Sequence, residues 1–275
     1  NAITNWMVIG PFDNISASGF DRVFAPENEF DTGSTYEGKN GIPTHWFEPA
    51  AVRLDRWMDF TRYFAFQQSV FYANTFLFSP KKRPAQIRIG TSGSLKAFLN
   101  DEELIQYFDE NNNDLDTYIV ETELQEGWNR LLIKCGYSKI SRCNFMVRIT
   151  DARGEPLDGL KTAIASQSYK GKPGAPKQLV ENFAEAFFKD QIKAYPERVE
   201  NCVLLAQTYL MNDKAIEAEL SLREALKRSP DNVLVLNKML EAYVRGEKFD
   251  EISKTMEKLL SLDQNVPAAL LYKIQ

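Results

Sequence analysis

Residues Val199 to Pro230 read VENCVLLAQTYLMNDKAIEAELSLREALKRSP, and this stretch decides how the second half of the chain folds. Counted from Val199, Leu205, Ala206 and Tyr209 stand at positions 7, 8 and 11, and Ala218, Leu222, Ala225 and Pro230 at positions 20, 24, 27 and 32. Apolar residues three and four apart mark one face of a helix, and a proline ends it. The pattern returns 34 residues later: from Val233 come Met239, Tyr243, Gly246, Met256 and Leu259, with Ile252 at the small position and Gln264 in place of the proline. It also runs backwards, where Ala184, Phe188 and Pro196 fill positions 20, 24 and 32. Residues 178 to 195 therefore read as the second helix of a unit whose first helix is replaced by other sequence.

These packing positions resemble the tetratricopeptide repeat. The resemblance implies an α-helical array over 178–275 in which the first helix of each unit lines a concave groove. Glu200, Val203, Gln207 and Leu210, then Leu234, Asn237, Glu241 and Val244, hold the groove positions, with Glu200, Gln207, Asn237 and Glu241 as candidate polar contacts for a protein or peptide. The paired Lys and Asn clamp that some such proteins use for a C-terminal carboxylate is missing. Repeats bury their cores against neighbours, and about three are needed for stability. A last segment carrying Ala268, Ala269, Leu270, Leu271 and Tyr272 is more apolar than a cap, so the expectation is a fragment whose continuation extends the stack.

Upstream, Gly171, Pro173, Gly174 and Pro176 crowd together, which stops helix and central strand alike. A linker is expected at 165–177, with a first domain at 1–164. The acidity lies in that domain: 17 basic against 22 acidic side chains before residue 164, and 16 of each after it. Short strands are expected at Trp6–Ile9, Ser69–Phe78, Ala85–Ile89, Leu95–Leu99, Thr117–Val120, Arg130–Cys135 and Asn144–Ile149, with no helical pattern between them. That is the signature of an antiparallel β-sandwich. Between Asn1 and Phe66, repeated Gly and Pro predict long ordered loops.

The opening Trp6-Met-Val-Ile-Gly-Pro-Phe-Asp-Asn14, with Gly19-Phe-Asp21, Ala25-Pro-Glu27, Ile87-Arg-Ile-Gly90, Gly127-Trp-Asn-Arg-Leu-Leu-Ile-Lys134 and Phe145-Met-Val-Arg-Ile-Thr-Asp151, resembles the galactose-binding-like jelly-roll modules of large secreted bacterial proteins. The resemblance implies a jelly roll of the kind found in carbohydrate-binding modules and an extracytoplasmic setting, periplasmic or at the cell surface. It also implies that any catalytic domain lies elsewhere in the parent protein. The start at Asn1, without a charged or apolar leader, reads as a processed or trimmed product.

Little chemistry is legible. His45, the single histidine, has no metal-ligating neighbour at useful spacing, and neither a nucleophile elbow nor a phosphate loop is present. No catalytic residue and no cofactor is assigned. Cys135 and Cys143 flank a seven-residue loop between two strands and would face each other across a hairpin; a disulfide or two buried thiols are both open readings. Asp109, Asn111 and Asn113 sit in an acidic stretch that offers oxygen ligands for a structural calcium, or a solvated turn between strands. A glycan site needs an aromatic platform beside hydrogen-bonding groups, and Trp46, Trp57 and Tyr63 with Asp55 and Asp59 are the candidates. The other reading is that these aromatics roof the sandwich.

With 44% apolar residues the chain has a core to bury, while a net charge of −5 and a pI near 5.2 speak against nucleic acid. No apolar run reaches the ~20 residues of a membrane span. The expected function is non-catalytic binding or scaffolding through protein–protein assembly; the alternative is glycan recruitment by the sandwich.

Overall fold

The computed structural model describes residues 2–50, 54–171 and 177–274. The chain divides into two compact units, Asn1–Val180 and Glu181–Gln275. The first holds β1 (Met7–Asp13), a single turn α1 (Ala25–Asn28), β2 (Tyr36–Glu37), β3 (Pro43–Thr44), β4 (Met58–Asp59), β5 (Ser69–Ser79) and β6 (Arg83–Leu99). It continues through β7 (Glu102–Asn112), β8 (Tyr118–Leu124), β9 (Gly127–Tyr137), β10 (Asn144–Thr150), β11 (Lys161–Ala163) and β12 (Gln178–Val180).

Strand β6 makes the sandwich. Its first half pairs with β8 and β10, its second half with β7 and β9, and both edges change partner between Ile89 and Ser94. Where two strands were expected, at 85–89 and 95–99, one continuous strand passes from one layer to the other. Gly90 and Gly93 allow it. Gly93 holds a φ of +125°, and a Cβ there would lie 2.6 Å from the Gly136 carbonyl oxygen. One layer is β1 and β11 on β5, then β9, β6 and β7; the other is β12, β8, β6, β10 and β4. Strand β7 adds to the expected set: Glu102, Glu103 and Gln106 mask Leu104 and Ile105 in the sequence, although both are buried.

Alternation along the strands fills the space between the layers. Phe71, Ala73 and Leu77 of β5, Leu131 and Ile133 of β9, Ile87 and Ile89 of β6, and Phe145 and Val147 of β10 share one core. The opposite face of β5 and β9 carries a second core of Ile9, Phe12, Val70, Tyr72 and Leu132, roofed by Phe24, Phe30, Tyr36 and Trp46. The Gly- and Pro-rich segment therefore folds down as a lid.

Cations on that face anchor the lid. Lys134, 0% exposed, donates to Glu27 Oε1 (2.8 Å) and to the Arg22 carbonyl (2.7 Å), with the rings of Phe20, Phe24 and Tyr72 around its ammonium. Tyr72 donates its hydroxyl to the same carboxylate oxygen at 2.6 Å. Arg130 donates to Asn74 Oδ1, to Asp101 Oδ1 and to the Pro26 carbonyl at 2.8, 3.1 and 2.6 Å. Burial pushes the Lys134 ammonium below its ordinary range while Glu27 opposes the shift.

The first unit reaches beyond the expected boundary at 164. Strand β11 pairs with β5, Tyr169 donates to Asp101, and β12 pairs with β8, so residues 178–180 are strand and not helix. The part of the expected linker holding Pro173, Gly174 and Pro176 lies outside the described residues.

The second unit runs α2 (Phe183–Ala194), α3 (Val199–Met211), α4 (Ala215–Arg228), α5 (Val233–Arg245), α6 (Phe249–Leu262) and α7 (Pro267–Ile274). The periodicity placed the helix pairs α3–α4 and α5–α6 correctly, and α2 is a second helix without its first. Cys202, Leu205, Ala206, Ala218, Leu222 and Ala225 form the joint core. An ion pair on a buried carboxylate repeats with the 34-residue period: Lys214 meets Glu185 at 2.6 Å and Lys248 meets Glu219. Burial raises the Glu219 carboxyl, but Lys248 and Arg223 overcome it and hold the group below its ordinary value.

Two outcomes follow from these charges. Tryptophan fluorescence reports only the first unit, because Trp6, Trp46, Trp57 and Trp128 all lie there. Denaturant unfolding read this way should show Lys134→Met costing about 3–5 kcal/mol, as for one partner of a buried pair removed. The double variant Lys134→Met with Glu27→Gln should recover a large part of that loss, since the orphaned carboxylate is gone. In the second unit a depressed carboxyl supplies stability above about pH 4.5 that is lost as the pH falls further. Helical circular dichroism should therefore show an acid-induced loss of stability that Glu219→Gln diminishes.

Candidate functional site

Two cavities are lined by residues that the sequence singled out. The first is on the sandwich, where β6 changes layers. Asp55 and Trp57 reach it from the segment before β4, Ser92 from the β6 crossing, Asn113 from the end of β7, and Arg142 and Asn144 from the approach to β10; together they line about 140 Å³. Asp55 Oδ1 accepts the Trp57 backbone N–H at 3.2 Å. Trp57 is half-buried and lies over Gly90, where a Cβ would come within 2.8 Å of the indole and 2.5 Å of the Asp114 carbonyl oxygen. Asn144 is only 7% exposed, and its Oδ1 is enclosed with no hydrogen-bond partner.

The expected glycan residues separate here. Trp46 is 3% exposed and packs edge-on to Phe30 at 5.0 Å, so it roofs the second core and offers no platform. Tyr63 packs edge-on against Phe47 at the core margin. Asp59 is buried; its Oδ1 accepts Thr61 N at 3.1 Å and its Oδ2 lies 3.7 Å from Arg142 Nε. Asp55 and Trp57 alone reach the cavity. Ser92, Arg142 and Asn144 escaped the sequence reading because they come from two segments about 50 residues apart, and nothing local marks them.

The other expectations for this unit also change. Asp109 and Asn111 belong to β7 instead of a loop, and the Asn113 amide donates to the Tyr118 hydroxyl at 2.9 Å. Burial pushes that phenol up to about 12. Cys135 and Cys143 are buried free thiols; β6 separates β9 from β10, so no hairpin joins them, yet the two thiols come within hydrogen-bond reach of each other. Burial, reinforced by Cys135, holds the Cys143 thiol well above its ordinary value. His45 is exposed.

The second place is the face formed by the first helices of the repeats. Val233, Leu234 and Asn237 of α5 meet Asp263, Asn265, Val266 and Pro267 around a cleft of about 480 Å³. Asn237 Oδ1 is enclosed and has no hydrogen-bond partner among the described residues. Gln207 and Glu241 are joined by Lys238, which donates to them at 2.5 and 2.7 Å. Lys238 is the residue that sequence reasoning missed, though it stands next to Asn237. Glu200 is exposed on α3, whereas Val203 and Leu210 are buried in the unit and line no groove.

No protein-family model matches the chain. Over 140 residues it is 26% identical to the mouse (Mus musculus) interferon-induced protein with tetratricopeptide repeats 3, an overlap of 51% of this chain and 33% of that protein. The match thus spans about a third of the relative's length. Among solved structures, the first tetratricopeptide domain of Spaghetti bound to an HSP90 peptide is similar at 19% identity and a TM-score of 0.31, covering 32% of this chain and 70% of that one. A family 35 carbohydrate-binding module from an environmental isolate is similar at 20% identity and a TM-score of 0.26, covering 36% and 72%.

Acrylamide quenching distinguishes the two tryptophans proposed for glycan contact. Trp57→Phe should lower the quenchable emission, and Trp46→Phe should leave the quenchable emission unchanged while lowering the unquenched remainder.

Proposed function

We propose that this chain is a non-catalytic binding and scaffold segment of a larger extracytoplasmic bacterial protein, and that its repeats hold an extended segment of a protein partner along α3, α5 and α7. The observation that carries the reading is the Asn237 cleft. Its volume lies within the roughly 300–1,000 Å³ usual for ligand sites, while the cavity beside Trp57 is well below it. A carboxamide has both a donor and an acceptor to offer a peptide group, and Leu234 and Val266 supply an apolar wall. Lys238 adds a charge already oriented by Gln207 and Glu241. The extracytoplasmic setting rests on the resemblance of the sandwich to secreted modules.

A second reading is favoured by the Asn144 carboxamide beside the Trp57 ring. A ring and two amides flanked by Asp55 and Arg142 suit the edge of one sugar, with the indole on its apolar face and hydroxyls on the polar groups. That would make the sandwich a glycan-recruiting module.

Selection of displayed random peptides against the full chain, run beside a glycan array, tests both. The first reading expects enriched peptides whose affinity falls about tenfold in Asn237→Ala, the scale of one lost hydrogen bond with its desolvated partner. Peptides indifferent to Asn237→Ala and Leu234→Asp would contradict it. Array binding abolished by Trp57→Ala would establish the second.

A further inference from the structure

The opposite side of the repeat unit carries another groove. It runs between α2 and α4 over α3 and encloses about 430 Å³, floored by Ile192, Leu205 and Tyr209. One bank is basic, with Lys189 and Lys193 of α2; the other is acidic, with Glu217 and Glu224 of α4. Between them stands Leu220, 60% exposed, one turn from Ile216 at 66%. Two large aliphatic side chains a turn apart in water are the kind of feature that marks a contact surface.

We propose that this groove is the interface between two copies of the chain, each laying its α4 between α2 and α4 of the other. The distribution of charge carries the choice of occupant. A groove of one sign fits a partner of the opposite sign, but a groove with one bank of each sign fits itself. In an isologous interface residue i of one copy meets residue j of the other, and j meets i. The acidic edge of one α4, with Glu217 and Glu224, then faces Lys189 and Lys193 of the second copy, while Ile216 and Leu220 enter the apolar floor. The local partners do not prevent this. Lys189 pairs with Glu181 at 2.5 Å, Lys193 with Asp190 at 3.3 Å and Glu224 with Lys227 at 2.5 Å, all between well-exposed side chains, and such pairs contribute little. The surface lies on the second helices of the repeats, away from the first-helix row assigned to a protein partner, so both can be occupied at once.

Sedimentation velocity of the full chain over a concentration series tests the proposal. A monomer–dimer equilibrium is expected, and Leu220→Asp, at an exposed position, should abolish it with the helical circular dichroism unchanged. Lys193→Glu should weaken the dimer at least ~tenfold, and adding Glu224→Lys in the same chain should restore it, because the swapped charges again face each other. A monomer at every concentration, a dimer that survives Leu220→Asp, or a double variant no better than Lys193→Glu would each overturn the assignment.

Discussion

An ammonium group with no access to water holds the first unit together. Lys134 projects from β9 to the outer face of its layer and has to find its counter-charge in the segment that covers it. Glu27 supplies the charge, the Arg22 carbonyl a second acceptor, and Phe20, Phe24 and Tyr72 the surrounding faces. A buried pair of this kind gives little net stability relative to apolar packing, but it penalises every arrangement that leaves one partner alone. It therefore specifies where residues 20–30 lie. Arg130, four residues away on the same face of β9, repeats the device with the Pro26 carbonyl. Once the lid is fixed, Trp46 and Phe30 have no place but the second core.

That constraint decides where binding can occur. A lid pinned by charge cannot serve as a mobile recognition loop, and it takes Trp46 out of contention. The polar cavity arises instead at the layer crossing of β6, where the missing side chain of Gly90 admits the Trp57 indole. In the second unit the same logic of buried charge sets the stacking: Glu185–Lys214 and Glu219–Lys248 lock each second helix to the start of the next. Regular stacking leaves the first helices to form a row with Asn237 and Lys238 on it, and the second helices to form the two-signed groove.

The helical half was legible because its signal is local. Small and large residues at a 34-residue period fix both the helices and their neighbours, and Ala206, Ala218 and Leu222 are buried where the period places them. In the sandwich the strands rich in apolar residues could be read, but β7 could not, since Leu104 and Ile105 are flanked by Glu and Gln. The crossing of β6 was split in two by Gly90 and Gly93, which look like a turn in sequence and act as a hinge between layers in space. The sites were least legible. Asp55, Ser92, Asn113 and Asn144 meet only through topology, and the burial of Trp46 depends on a lysine 88 residues further along the chain.

Amide hydrogen exchange of the full chain tests the anchored lid most directly. The N–H groups of Asn14, Gly38 and Phe47 bond to carbonyls of Gln68, Ile42 and Val8. If the lid is part of the folded core, they should exchange in the same cooperative opening as Phe71 of β5 and Cys135 of β9, and Lys134→Met should release them well before those strands. Wild-type exchange at these three amides orders of magnitude faster than in β5 and β9 would show a loosely held loop and contradict the account.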